Sequence, residues 1–134
     1  MADDTPDPQC LIVADADVLI RNALAEYLRQ CGYKVFEAAT SDEVVIALEE
    51  GAVKIDALLA DAELAGRFNA FELRIWIRDH HPDVEVVLAG NIDAAAKAAG
   101  HLCDEGPHLQ RPYDHASVAA HIKRLLVATR RQRL

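Results

Sequence analysis

The chain reads as one α/β domain built on a parallel sheet with helices on both faces. Three observations predict this. Short apolar runs alternate with amphipathic segments five times along the sequence, as strand–helix units joined by right-handed crossovers require. The middle runs are nearly continuous Leu, Ile, Val and Ala, as strands covered on both sides should be. A length of 134 residues with 51% hydrophobic content closes a single core and leaves little for a second.

Residues 1–9 form an acidic tail containing Pro6 and Pro8, residues 10–127 the domain, and residues 128–134 a basic tail. The run Cys10 to Ala14 predicts the first strand. Ile20, Ala23, Leu24, Tyr27, Leu28 and Cys31 then share one helical face, and Gly32 supplies the stop. Tyr33 to Ala38 is a short β-rich run. Thr40-Ser41-Asp42-Glu43 is a capping-box pattern in which Thr40 and Glu43 satisfy each other's backbone donors, opening a helix with Val44, Val45, Ala47 and Leu48 inward and Gly51 at its end. Ile55 to Ala60 predicts the third strand. A helix near Ala70 to Asp79 follows, expected to turn Phe71, Ile75 and Trp76 inward, and His80-His81-Pro82 closes it. Val84 to Ala89 is the fourth strand, with an Ala-rich helix from about Asp93 to Ala99 behind it. The segment Gly100 to Gly106 carries no clear signal. His108-Leu109-Gln110 reads as a fifth strand cut off by Pro112, and Asp114 caps a last helix with Val118, Ile122, Leu125 and Leu126 inward.

Bulk properties narrow the function. The net charge of -8 repels polyanions, so nucleic acid is not an expected ligand. Lys123, Arg124, Arg130, Arg131 and Arg133 collect at the end, where cations complement a helix dipole. The sequence has neither an apolar run of membrane-spanning length nor a basic, apolar leader. A cytoplasmic protein without membrane association is expected. Cys10, Cys31 and Cys103 are odd in number and lie in or beside apolar segments, which suits reduced thiols.

Two acids stand out. Asp15 ends the first strand and Asp61 the third; if these strands are neighbours, both carboxylates emerge at the carboxyl edge of the sheet, where open α/β folds hold ligands.

Five fragments in order carry a resemblance to response-regulator receiver domains, the phospho-acceptor modules of two-component signalling. They are Leu11 to Asp17 with Leu19-Ile20-Arg21, Tyr33 to Ala38, Asp56 to Asp61, Pro82-Asp83-Val84, and Leu109 to Tyr113, so the resemblance covers about residues 10–127. It implies a five-stranded parallel sheet of order 2-1-3-4-5, the flavodoxin-like arrangement. It also implies that Asp61 is the phospho-acceptor, and that Mg²⁺ is held by Asp15, Asp61 and the carbonyl of Glu63. The implied partners are a sensor histidine kinase or phosphotransfer protein on the input side and a downstream protein on the face of the fourth helix, fifth strand and fifth helix. Pairing of two copies through the last helix is a further possibility under the resemblance.

The sequence departs from the family pattern at three positions. A second acid after the first strand is replaced by Ala16, which weakens the expected Mg²⁺ site, although Mg²⁺ can keep several waters. The position of the hydroxyl residue after the fourth strand falls on Gly90, or on Ala89 one residue earlier, and neither carries a hydroxyl. The lysine before the proline is replaced by Arg111, which keeps the charge but is longer and planar. His108 stands at the aromatic switch position, where it is either a pH-sensitive reporter or an ordinary strand residue. Two carboxylates facing one guanidinium demand a cation less than the family's usual pocket. The expectation is a stand-alone, atypical receiver with weak or slow phosphorylation; the alternative is a pseudo-receiver, an interaction module that is never phosphorylated. Neither is an enzyme beyond self-catalysed phosphoryl transfer.

Asp15-Ala16-Asp17 also fits the nucleophile and acid pair of haloacid-dehalogenase-like phosphatases, but Leu19 and the lack of a later acidic pair argue against it. His101, Cys103 and His108 fall short of a zinc pattern. Trp76 and Tyr113 are packing residues, and no Gly-rich phosphate loop occurs.

Overall fold

The computed structural model describes residues 9–106 and 113–133. Its elements are β1 (Cys10–Ala14), α1 (Val18–Gln30), β2 (Lys34–Ala38), α2 (Ser41–Glu50), β3 (Ala57–Asp61), α3 (Ala70–His80), β4 (Glu85–Ala89), α4 (Ile92–Glu105) and α5 (His115–Arg133). Among the described residues the sheet is parallel throughout, with order β2-β1-β3-β4. This matches the first part of the expected order. The fifth strand, His108 to Gln110, lies outside the described residues, as do Arg111 and Pro112.

Alternation along each strand sorts the side chains into two cores. Leu11, Val13, Val35, Ala57, Leu59 and Ala89 face α1, α4 and α5, where Leu24, Tyr27, Leu28, Ala96, Val118 and Ile122 close over them. Cys10, Ile12, Ala14, Leu58 and Ala60 face α2 and α3, where Val44, Leu48, Leu73 and Ile77 do the same. β1 is buried at every position, and β3 at all but its last. β4 is only partly covered, with Val86, Val87 and Leu88 half-buried.

Caps fix where the helices begin. Asp17 accepts from the N–H groups of Leu19 and Ile20. Thr40 accepts from Glu43 N–H as expected, but the Glu43 carboxylate returns to Ala39 N–H and not to Thr40. A full capping box occurs instead at Asn69 and Glu72, opening α3. The loop between β3 and α3 is clamped to the start of α2. The buried Ser41 hydroxyl accepts from Phe68 N–H, and Asp42 accepts from Arg67 N–H. Gly66 makes this approach possible. Its φ is 130°, and a Cβ there would sit 2.5 Å from Ser41 Oγ.

The structure corrects three expectations. On α3, Phe71 and Ile75 face solvent, while Ala70, Leu73 and Ile77 are buried. Trp76 is half-buried against the same core, as expected, and the Arg74 guanidinium lies 5.6 Å from the centroid of the outward Phe71 ring. The Ala-rich helix continues through the unassigned segment to Glu105. Cys31 and Cys103 are not reduced thiols; they form a disulfide with Cα atoms 5.5 Å apart, while Cys10 is a buried thiol outside that bond. Burial in apolar surroundings suits a disulfide as well as a thiol, so the composition of these segments did not separate the two.

α4 lies on the face of the sheet that α1 covers, and α5 packs across α4 and α1. A right-handed crossover from β4 to a strand beyond it would instead carry α4 to the face of α3.

Tyr27 donates its hydroxyl to the Tyr113 carbonyl and meets the Tyr113 ring edge-on, while Trp76 stacks between Phe68 and His80. Both aromatics pack, as expected. His115 sits against Gly100 and is half-buried; His121 is exposed.

Candidate functional site

Register places the two acids together. Ala14 pairs with Ala60 in the β1–β3 ladder, so the next residues, Asp15 and Asp61, leave the sheet side by side at its carboxyl edge. Asp61 also pairs with Ala89 on β4, which brings Gly90 to the same edge. Alternation then sets the direction: Asp15 follows Leu11 and Val13, and Asp61 follows Ala57 and Leu59, so both point to the face of α1 and α4.

Between them lies a cleft of about 190 Å³ lined by Asp15, Asp61, Glu63, Gly90, Asn91 and apolar walls from β1, β3, α1 and α4. Ile20 and Leu24 of α1 face Ile92 and Ala95 of α4 across it. The first turns of both helices border the cleft, so their N-terminal dipoles favour negative charge there.

Asp15 is the buried member, 7% exposed. Its Oδ1 accepts the Asp17 N–H at 2.9 Å. Burial is the main reason its pKa is pushed up to about 6; the charges of Asp61 and Asp17 add to the rise, and the Asp17 N–H and the Arg21 guanidinium oppose it. Asp61 is more accessible, and its Oδ1 accepts from Glu63 N–H at 3.2 Å. That bond turns the loop so that Glu63 stays at the cleft. Asp17 caps α1 and Ala16 is exposed with no polar atom beyond its backbone, so neither adds a carboxylate beside Asp15.

Gly90 is exposed, and a Cβ placed on it meets nothing within 4 Å. The missing hydroxyl is therefore not forced by crowding. Arg111 and His108 lie outside the described residues.

Sequence reasoning missed two contributors. Arg21 donates from Nη1 to the Asp15 carbonyl at 2.9 Å and from Nε to Glu37 at 3.2 Å, while Arg29 holds the other oxygen of Glu37. This ties the turn after β1 to β2. An Arg one helical turn beyond a strand-ending acid was the available signal. The second is the wall supplied by α4, for which the Ala-rich sequence gave no indication.

Among the described residues no three His, Cys, Asp or Glu side chains converge on a metal position. The carboxylates of Asp15 and Asp61 line the cleft together with Glu63. Two carboxylates suit Mg²⁺ that keeps several waters, and the Asp61 charge, which adds to the effect of burial on the Asp15 pKa, is one that a cation would offset. His101 is exposed on α4, and Cys103 is committed to the disulfide.

No family model and no curated protein matches the sequence. Solved structures do match. A response regulator receiver domain protein from Clostridium thermocellum has 20% identity and a TM-score of 0.57, covering 91% of this chain and 97% of that one. The chemotaxis response regulator CheY4 of Vibrio cholerae has 16% identity and a TM-score of 0.57, covering 87% and 98%. The non-phosphorylated receiver domain of the stress response regulator RcsB from Escherichia coli has 17% identity and a TM-score of 0.58, covering 94% and 95%. The parallel order, the covered central strands and these likenesses agree: the fold of this chain is that of the response-regulator receiver domain.

Proposed function

We propose that this protein is a signalling receiver in a phosphorelay, with Asp61 as phospho-acceptor in an atypical pocket that takes up the phosphoryl group slowly or weakly. The observation that carries this reading is the shared cleft, with the accessible Asp61 beside the buried Asp15 at the carboxyl edge of the sheet. In the reaction an Asp61 carboxylate oxygen attacks phosphorus, the bond to the donor breaks, and its electron pair leaves with the donor. Both reactants are anionic, so the step needs positive charge nearby. The N-terminal turns of α1 and α4 supply partial charge, and Arg111 supplies a full one in this reading. Mg²⁺, held by Asp15, Asp61 and the Glu63 carbonyl, would neutralise the phosphoryl oxygens when bound. Ala16 weakens its hold, and Gly90 offers no hydroxyl to those oxygens.

The input partner is a sensor histidine kinase or phosphotransfer protein, the output partner another protein, and the setting the cytoplasm. Among the described residues no helix is long and apolar enough to cross a membrane. No substrate turnover is expected beyond self-catalysed transfer to Asp61.

A second reading, a pseudo-receiver that is never phosphorylated, is favoured by the apolar walls of the cleft, Val13, Ile20, Leu24, Leu59, Ile92 and Ala95. Incubation with a small acyl-phosphate donor and Mg²⁺, followed by intact mass, separates the two. Slow addition of one phosphoryl group, absent in Asp61→Asn, supports the atypical receiver. No addition under forcing conditions leaves the pseudo-receiver, and rapid complete addition refutes the idea of an impaired pocket.

A further inference from the structure

Cys31 closes α1 and Cys103 lies near the end of α4, and their disulfide joins the two helices across 72 residues of sequence. Both residues are buried, at 1% and 3% exposure. The inward face of α4 otherwise carries mostly small side chains, and an exposed Asp93–Lys123 ion pair, of a kind worth little, ties its first turn to α5. Ala95, Ala96, Ala99 and Gly100 occupy that face, and Leu102 is its one large buried aliphatic side chain. Small side chains remove little apolar area from water, so packing alone holds this helix less firmly than Leu24 and Leu28 hold α1. The Tyr33 hydroxyl donating to the Leu102 carbonyl ties the same end. At its other end, α4 contributes Ile92 and Ala95 to the wall of the Asp15–Asp61 cleft. Whatever fixes α4 therefore fixes that wall.

We propose that Cys31 and Cys103 form a redox modification site: oxidised, the pair pins α4 to α1 and sets the cleft; reduced, it leaves α4 to small-residue packing and loosens the wall. Disulfides in reducing compartments are mostly transient or sensing, so in the proposed cytoplasmic setting a buried bond that fixes α4 reads as a switch. The reductant is a dithiol. One of its thiolates attacks a protein Sγ, the S–S bond breaks, and the electron pair leaves on the other Sγ, which takes up a proton. The second thiol of the reductant then resolves the mixed disulfide, so two electrons and two protons reach the protein and the reductant becomes a disulfide. Burial means that attack waits for α4 to open locally.

The regulatory meaning rests on the cleft being the working site, but the test reads α4 itself. The full chain is prepared oxidised and dithiothreitol-reduced, its thiols are counted by alkylation and intact mass, and amide hydrogen exchange is followed by peptide. In the oxidised protein the α4 amides should exchange in step with those of β1 and β3. On reduction, or in Cys31→Ser and Cys103→Ala, they should exchange at least about tenfold faster than the strands. The reduced native sequence serves if a variant fails to fold. The proposal is overturned if oxidised protein retains all its thiols, if reduction requires global unfolding, or if α4 and the strands shift together. An α4 response with no labelling of Asp61 would remove the proposed function and leave the switch; labelling without an α4 response would do the reverse.

Discussion

Asp15→Asn should make the protein more stable at neutral pH. The Asp15 carboxyl is buried beside Asp61, and its pKa is pushed from 3.8 up to about 6, with burial the first cause and the Asp61 charge an added one. A folded-state pKa above the unfolded value means that the native protein binds the proton more tightly. The folded state is thus penalised wherever Asp15 must ionise. Stability falls as pH rises from about 4 to about 6, and the full penalty stands above that window. A rise of about two pKa units corresponds to roughly 3 kcal/mol as an upper figure. Asn keeps an oxygen for the Asp17 N–H, but a neutral acceptor forms the weaker bond, so a gain of about 1–3 kcal/mol is expected at pH 7. In melting temperature that is an increase of roughly 3–9 °C. Urea unfolding of both proteins at pH 4, 5, 6, 7 and 8 measures it. The difference should be near zero at pH 4 and reach a plateau by pH 7. A variant that is neutral or less stable at pH 7, or a gain that persists unchanged at pH 4, would refute the account of a strained buried carboxylate.

The other predictions concern the cleft rim and the clamp beneath it. Gly90→Thr should fold with a stability change within about 0.5 kcal/mol, because a Cβ there meets nothing within 4 Å; in the acyl-phosphate assay it should be labelled faster than the native chain, and unchanged labelling would mean that the hydroxyl is not what the pocket lacks. Gly66→Ala should cost about 2–4 kcal/mol, since its φ is 130° and the new methyl would meet Ser41 Oγ at 2.5 Å; a melting temperature equal to that of the native protein would contradict this. Ser41→Ala should cost about 1–3 kcal/mol by leaving Phe68 N–H without the hydroxyl it reaches at 3.1 Å. Faster hydrogen exchange at Phe68 is the local readout.

What could be read in advance follows a physical pattern. β1 and β3 are buried on both faces, so their apolar runs announce them, and the meeting of Asp15 with Asp61 follows from parallel pairing once the strands are neighbours. Thr40 and Asp114 announce helix starts because a short oxygen-bearing side chain is what free backbone N–H groups need. The inward face of α3 was less legible. Phe71 and Ile75 are as apolar as Leu73 and Ile77, so composition alone does not tell which stripe turns to Leu58 and Ala60. The full length of α4 was hidden because Ala, Gly and a few polar residues give little periodic contrast. The disulfide was hidden for a different reason: a contact across 72 residues depends on which face α4 takes, and no local signal records that.

That choice of face shapes the site. β1–α1–β2 and β3–α3–β4 step across the sheet in opposite directions, so right-handed crossovers place α1 and α3 on opposite faces, as the two cores show. A further step outward from β4 would put α4 beside α3, where Val84, Val86 and Leu88 are only half-buried. α4 instead turns over the carboxyl edge onto the side of α1. The consequence is direct. Asp15 and Asp61 point to that side by strand alternation, so the turn that brings α4 there also brings Asn91, Ile92 and Ala95 against the two carboxylates. It deepens the surroundings of Asp15 and contributes to the burial that raises its pKa. The apolar walls, the strained carboxylate and the placement of Cys103 beside Cys31 are then three results of one topological step. Displacing α4 should alter all three together.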